Sequence, residues 1–176
     1  KHEPAGLRES KLYDLRIPEV HNWCKESELV AQTYFSPKKG KTRLGIIGVG
    51  KISNEVNEAL IELLPEKNPE NSIAFSALNM PWPIPEKKLS EILDIVDEIL
   101  VIEEKRSFVE EQLAKLCLRH KRKILLSGKK SPDGKTLLQS HGELSFESIL
   151  NAIISRASFH SITLNSRKNI EVSSSD

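Results

Sequence analysis

The sequence predicts an α/β protein, a three-layer α/β/α arrangement on a mainly parallel sheet. Three observations carry this. Apolar runs of strand length alternate with segments that are apolar at helical spacing. The run Ile99-Leu100-Val101-Ile102 is apolar on both faces, as a strand inside a covered parallel sheet must be. No apolar stretch approaches the ~20 residues of a membrane span. With 176 residues, folding buries about 70% of the unfolded chain's surface, enough for one core.

Residues 1–42 read as a charged lead-in, with short helical turns around Leu12, Leu15, Val20 and Trp23 limited by Pro18 and Pro37. Lys38 to Lys41 form a polar boundary, and an α/β domain is predicted over 43–157. Its first unit is the strand Leu44 to Val49, a turn at Gly50, and a helix with Ile52, Val56, Leu60 and Leu63 on one face. Pro65 to Asn71 breaks that helix, and Ile73 to Leu78 forms a second buried strand. Three prolines, at 81, 83 and 85, stiffen the next turn, with Pro85 suited to the first helical position. Leu89, Ile92, Leu93 and Val96 mark a helix face, and the strand Ile99 to Ile102 follows. Val109, Leu113, Leu116 and Cys117 supply the next helix face, entered at Ser107 as its cap, and Ile124 to Leu126 the fourth strand. A polar segment from Gly128 to Gly142 leads to a last helix that Ser145 caps, with Leu144 and Ile149 as a hydrophobic staple. Residues 158–176 read as a Ser-rich tail or linker.

Composition excludes several function classes. With 26 Lys and Arg against 25 Asp and Glu, net charge is +1, so no global field favours nucleic acid or anionic lipid. Aromatic residues make up 5% of the chain and do not interleave with basic ones, which argues against a base-stacking platform. Cys24 and Cys117 lie far apart with no CxxC, arguing against a disulfide framework, a zinc site or an iron–sulfur cluster in this chain and fitting a reducing cytoplasm. Lys1 is followed by no signal-like apolar core, and the chain reads as a piece of a longer protein.

Four features carry candidate chemistry. The turn Gly48-Val49-Gly50-Lys51 ends a strand and opens a helix, where backbone N–H groups can receive an anion. With Gly45 it matches most of a P-loop, but Ile52 stands where Ser or Thr would hold magnesium. A purely conformational role for the glycines fits at least as well. Glu103-Glu104-Lys105-Arg106 ends a strand at the sheet edge where α/β proteins bind ligands. It reads either as a carboxylate pair for acid–base work or metal binding, or as a solvated strand end. Of the His at 2, 21, 120, 141 and 160, His141 precedes a helix start but has no second ligand at recognisable spacing. Charge is also uneven: nine acidic and four basic residues from Glu86 to Glu111, one acidic and seven basic from Arg119 to Lys135. No catalytic residue and no metal ligand is assigned.

Several segments together resemble a known family. Lys11-Leu12-Tyr13, Leu44-Gly45-Ile46-Ile47 running into Gly50-Lys51, Met80-Pro81-Trp82-Pro83-Ile84, Glu98-Ile99-Leu100-Val101-Ile102-Glu103-Glu104-Lys105-Arg106 and Gly142-Glu143-Leu144-Ser145 occur in order over residues 10–157. This set resembles the thiamine diphosphate-dependent 2-oxoacid:ferredoxin oxidoreductases, in particular the indolepyruvate type in its long single-chain form. Gln139 departs from a Pro common in the family, and the Gly-Val-Gly-Lys turn from a hydroxyl-rich Thr-Gly-Lys form. The resemblance implies a domain like the C-terminal domain of transketolase, non-catalytic itself. The parent enzyme would decarboxylate an aryl 2-oxoacid oxidatively to its acyl-CoA, with ferredoxin as acceptor. Thiamine diphosphate, magnesium and [4Fe-4S] clusters are then expected elsewhere in that enzyme, and this chain's partners are its other domains or subunits, with no nucleic acid and no membrane. Two alternatives stand beside this: a self-contained nucleotide- or CoA-binding module using Gly48, Gly50 and Lys51, and a standalone assembly module.

Overall fold

A computed structural model describes residues 4–35, 42–64 and 73–165. The Lys38 to Lys41 boundary, Pro37, the Pro65 to Asn71 break, His2 and the sequence after 165 lie outside the described residues. The elements run α1 (Ala5–Lys11), a π-helical turn (Leu12–Arg16), α2 (Ile17–Glu26), β1 (Ala31–Phe35), β2 (Thr42–Val49), α3 (Ile52–Leu63), β3 (Ile73–Leu78), α4 (Glu86–Leu93), β4 (Val96–Ile102), α5 (Phe108–Arg119), β5 (Leu125–Ser127) and α6 (Phe146–Phe159). The sheet order is β1-β3-β2-β4-β5. The pairs of β2 with β3, β2 with β4, and β4 with β5 are parallel, and β1 runs antiparallel to β3. No helix among the described residues is long and apolar enough to cross a membrane.

Strand periodicity builds the three layers. In β2, Leu44 and Ile46 point to one face and Ile47 to the other; Ile73 and Phe75 alternate with Ala74 in β3, as Leu100 and Ile102 do with Ile99 and Val101 in β4. The first set packs under α3 and α6, against Val56, Leu60, Leu63, Ile149, Leu150 and Ile153. The second packs under α4 and α5, against Leu89, Ile92, Leu93, Val109, Leu113 and Leu116. Burial on both faces is what makes these strands read as continuous apolar runs.

Two elements were not legible. Residues 31–35, inside the expected lead-in, form the antiparallel edge strand β1, whose Gln32, Thr33 and Tyr34 are exposed and so leave no apolar run. Residues 5–26 are helical throughout: Pro18 stands in the first turn of α2, where its missing donor is tolerated, and the π turn precedes it instead of a break. Val96, read from sequence as part of the α4 face, instead opens β4, because α4 stops at Leu93 and the strand starts three residues before Ile99; the remaining shifts are one-residue matters. Pro85 occupies the N-cap of α4 and not its first turn, and β5 starts at Leu125.

The segment after Ala157, read as the beginning of a tail, is joined to the α/β unit as far as Asn165. α6 continues to Phe159, His160 is buried, and Asn165 donates its backbone N–H to the Leu63 carbonyl at 2.7 Å and its side-chain amide to Leu64 at 2.9 Å. Those bonds satisfy carbonyls at the end of α3.

Glycine has a steric task at the end of β2. A Cβ at Gly48 would lie 2.9 Å from the Ser53 Cα and 3.3 Å from the Phe75 ring, while the Ser53 hydroxyl donates to the Gly48 carbonyl at 2.8 Å. The start of α3 therefore rests directly on the strand. Gly48→Ala is expected to cost about 1–3 kcal/mol by overpacking, seen as a lower urea midpoint at unchanged m-value.

Candidate functional site at the carboxyl edge of the sheet

The strand order makes β2 the switch point. The chain leaves β2 toward β3 on one side and returns to β4 on the other, so the crevice between the carboxyl ends of β2 and β4 is where such folds receive ligands. The sequence candidates Gly48, Gly50 and Lys51 stand at one lip, and Glu103 and Glu104 at the other.

The turn is shaped as a turn must be. Gly50 has φ +61°, the left-handed region, with open space around it, and its N–H donates to the Leu78 carbonyl of β3 at 2.8 Å. Lys51 does not face an empty crevice. Its ammonium donates to Glu143 at 3.3 Å and ion-pairs with Glu104 at 3.3 Å. The two carboxylates hold the Lys51 ammonium above its ordinary range, Glu104 more than Glu143. An anion on this turn competes with both.

Glu103 is also engaged. Its two carboxylate oxygens accept the backbone N–H groups of Val109 (2.8 Å) and Glu110 (3.0 Å), so it caps α5. Ser107 occupies the N-cap position but makes no side-chain cap bond; the cap assigned to Ser107 from sequence belongs to Glu103, whose carboxylate, unlike a hydroxyl, matches the positive end of the helix dipole. Burial pushes the Glu103 carboxyl up, against the pull of those N–H bonds. The buried Lys129 ammonium donates to the Glu103 and Gln139 carbonyls, the latter at 3.1 Å, fastening the polar segment after β5 to the end of β4. Lys105 and Arg106 are exposed, and Lys105 takes φ 58°.

The uneven charge along the chain is met in part within the fold. Arg119 bonds Glu86 at 2.9 Å, and Arg122 pairs with Asp94 at 2.6 Å. His120 and His141 are exposed and His21 is half-buried. Cys24 is buried with its thiol 4.0 Å from the Met80 sulfur, and Cys117 is half-buried; burial raises both thiols. No group of three His, Cys, Asp or Glu is placed to hold a metal among the described residues.

The most concentrated polar cluster was missed in the sequence. Glu98, on β4, has no solvent exposure. Arg156 donates Nε to its Oε1 at 2.6 Å and Nη2 to its Oε2 at 2.8 Å, His160 Nε2 lies 2.8 Å from Oε2, and the Ser127 hydroxyl donates to Oε1. Burial pushes the Glu98 carboxyl up, but the bonds from Arg156, Ser127 and His160 together outweigh it and hold the group below its ordinary range. The available signal was a charge directly before an apolar run, together with Arg156 and His160 four residues apart on the inward face of α6.

Three stability experiments test these assignments. Arg156→Ala leaves Glu98 a buried charge short of its main partner and is expected to cost about 3–5 kcal/mol. Because the folded Glu98 titrates below its unfolded value, its stabilisation is complete above the unfolded pKa and lost as pH falls through the folded one; Glu98→Gln should flatten the acid limb of a stability–pH curve from urea melts. Glu103→Ala should cost about 1–2 kcal/mol as a lost helix cap, and Ser107→Ala much less.

The family comparison agrees with the segments from Leu44 to Ser145; Lys11-Leu12-Tyr13 lies outside the matched span. A family model described as the indolepyruvate oxidoreductase domain matches residues 35–168. No curated protein matches the chain. The matched span takes in β2 to α6 and with them the carboxyl edge and the Glu98 cluster. The chain therefore belongs to the indolepyruvate oxidoreductase domain family, a part of an oxidoreductase that acts with further domains or subunits.

Proposed function

We propose that this chain is a non-catalytic supporting domain of an enzyme that oxidatively decarboxylates an aryl 2-oxoacid, such as indolepyruvate, to its acyl-CoA with ferredoxin as electron acceptor. The observation that carries this reading is that Lys51, Glu103 and Lys129, the charged groups that frame the ligand-binding edge, have partners within the fold. Lys51 lies between Glu104 and Glu143, Glu103 caps α5, and Lys129 is held by two backbone carbonyls. A group so held keeps a domain rigid and is not free to move protons.

The parent chemistry needs thiamine diphosphate with magnesium and iron–sulfur clusters, and the donor sets among the described residues do not suit them. Lys51 offers a cation already neutralised by two carboxylates, while the strand-end carboxylate of Glu103 faces a helix N-terminus. Cys24 and Cys117 sit on different elements, α2 and α5, with burial-raised thiols. These groups therefore belong, in this reading, to other parts of the enzyme. The five-stranded mixed sheet with one antiparallel edge strand supports a transketolase C-terminal-like unit. Its role would be to buttress the cofactor-bearing domains through exposed helices and turns.

Calorimetric titration of thiamine diphosphate with magnesium into the chain is expected to show no heat that Lys51→Ala removes, and thermal melts with ATP, NAD or CoA no stabilisation that depends on Lys51. Micromolar binding of thiamine diphosphate that is lost in Lys51→Ala would overturn the supporting role. Stabilisation by a nucleotide or CoA that is lost in Lys51→Ala would instead favour a nucleotide-binding module.

A further inference from the structure

Away from the carboxyl edge, a cavity of about 330 Å³ lies between α2, the start of α4 and the end of α5. Its walls come from three separated stretches of sequence: His21, Cys24 and Lys25 from α2, Glu86 and Lys87 from α4, and Arg119 from α5. Three of these side chains are cationic and one is anionic. The Glu86 carboxylate is already held by Arg119, whose Nη1 donates to both its oxygens at 2.9 and 3.0 Å. Lys25 donates only to the neutral Asn22 amide, at 2.9 Å. With His21 neutral, the lining carries two positive charges in excess. The opposite wall is apolar, made of buried Cys24 and Pro85.

The cavity is held open by contacts outside its cation set. Lys88 pairs with Glu28 at 3.3 Å, tying the loop after α2 to α4, and Cys24 abuts Met80 at 4.0 Å. The cations therefore converge as a result of tertiary packing. A volume near the lower end of small-molecule pockets, two uncompensated positive charges and one apolar wall match a small doubly charged anion with a compact body.

We propose that this cavity binds a small phosphoryl anion, a diphosphate or phosphomonoester, with its oxygens on Lys25, Lys87 and Arg119 and its body against Cys24 and Pro85. Lysine ammonium groups serve such ligands as point charges, and a guanidinium presents a planar fork of donors to them. The site is separate from the Gly48 to Lys51 turn and does not depend on the supporting role proposed above.

Titration of inorganic pyrophosphate into the 176-residue chain at low salt, followed by calorimetry, should give one saturable site. In the double variant Lys25→Ala/Lys87→Ala the affinity should fall about tenfold, and in Lys51→Ala it should stay within about twofold. Lys25 and Lys87 are both exposed, so the double variant should melt as the parent does. Absence of saturable binding, undiminished affinity in the double variant, or an equal loss in Lys51→Ala would each overturn the proposal.

Discussion

A carboxylate with no access to water, Glu98, sits inside the sheet, and much of the fold beyond β4 is arranged around it. A buried charge is tolerable only when its oxygens are fully paired. Here the partners come from two elements, the short edge strand β5 and the helix α6, whose apolar face is already packed in the core. β5 is a three-residue edge strand with Leu125 exposed, and Ser127 is its buried, bonded residue. α6 contributes Arg156, and its C-cap residue His160 follows one turn on, while Arg156 also lies 4.4 Å from the Phe159 ring centroid. Apolar packing of α6 favours burial without dictating rotation or register to the last residue. The bidentate Arg156 contact does, because a guanidinium fork meets both oxygens in one geometry only.

The same economy of charge governs the carboxyl edge. Glu103 completes α5, Lys129 fixes the polar segment that leads to α6, and Glu143 in that segment reaches back to Lys51 at the head of α3. Three loops from different strands are thereby cross-linked through side chains. In doubly wound folds that edge usually receives a ligand; in this member of the indolepyruvate oxidoreductase domain family its charges meet one another, which supports reading the unit as a scaffold for neighbouring domains.

Most strands and helices of the α/β unit were legible because each is buried on two faces or on one, and burial writes itself as period two or period 3.6. β2, β3 and β4 followed from continuous apolar runs; α3 to α6 followed from their inward stripes. The Ser145 cap was legible too, since its hydroxyl accepts the Ser148 N–H at 3.2 Å within one turn of sequence. β1 was not, because an edge strand with three exposed residues has no pattern to distinguish it from a polar linker. The cap of α5 was misassigned to Ser107 for a related reason. Local sequence nominates the nearest hydroxyl, whereas the carboxylate of Glu103 reaches the same N–H groups from the end of the preceding strand.

By itself, then, the sequence determined which segments are buried and on how many sides, and with that the class of fold, because hydrophobic burial is roughly additive along the chain and needs no named partner. Tertiary structure alone decided where each charge goes. Glu98 and Arg156 are 58 residues apart, and Lys51 and Glu143 are 92 apart. Polar pairing is directional and short-ranged, so its outcome depends on which atoms the packed layers bring within about 3 Å, and no spacing in the sequence encodes that meeting.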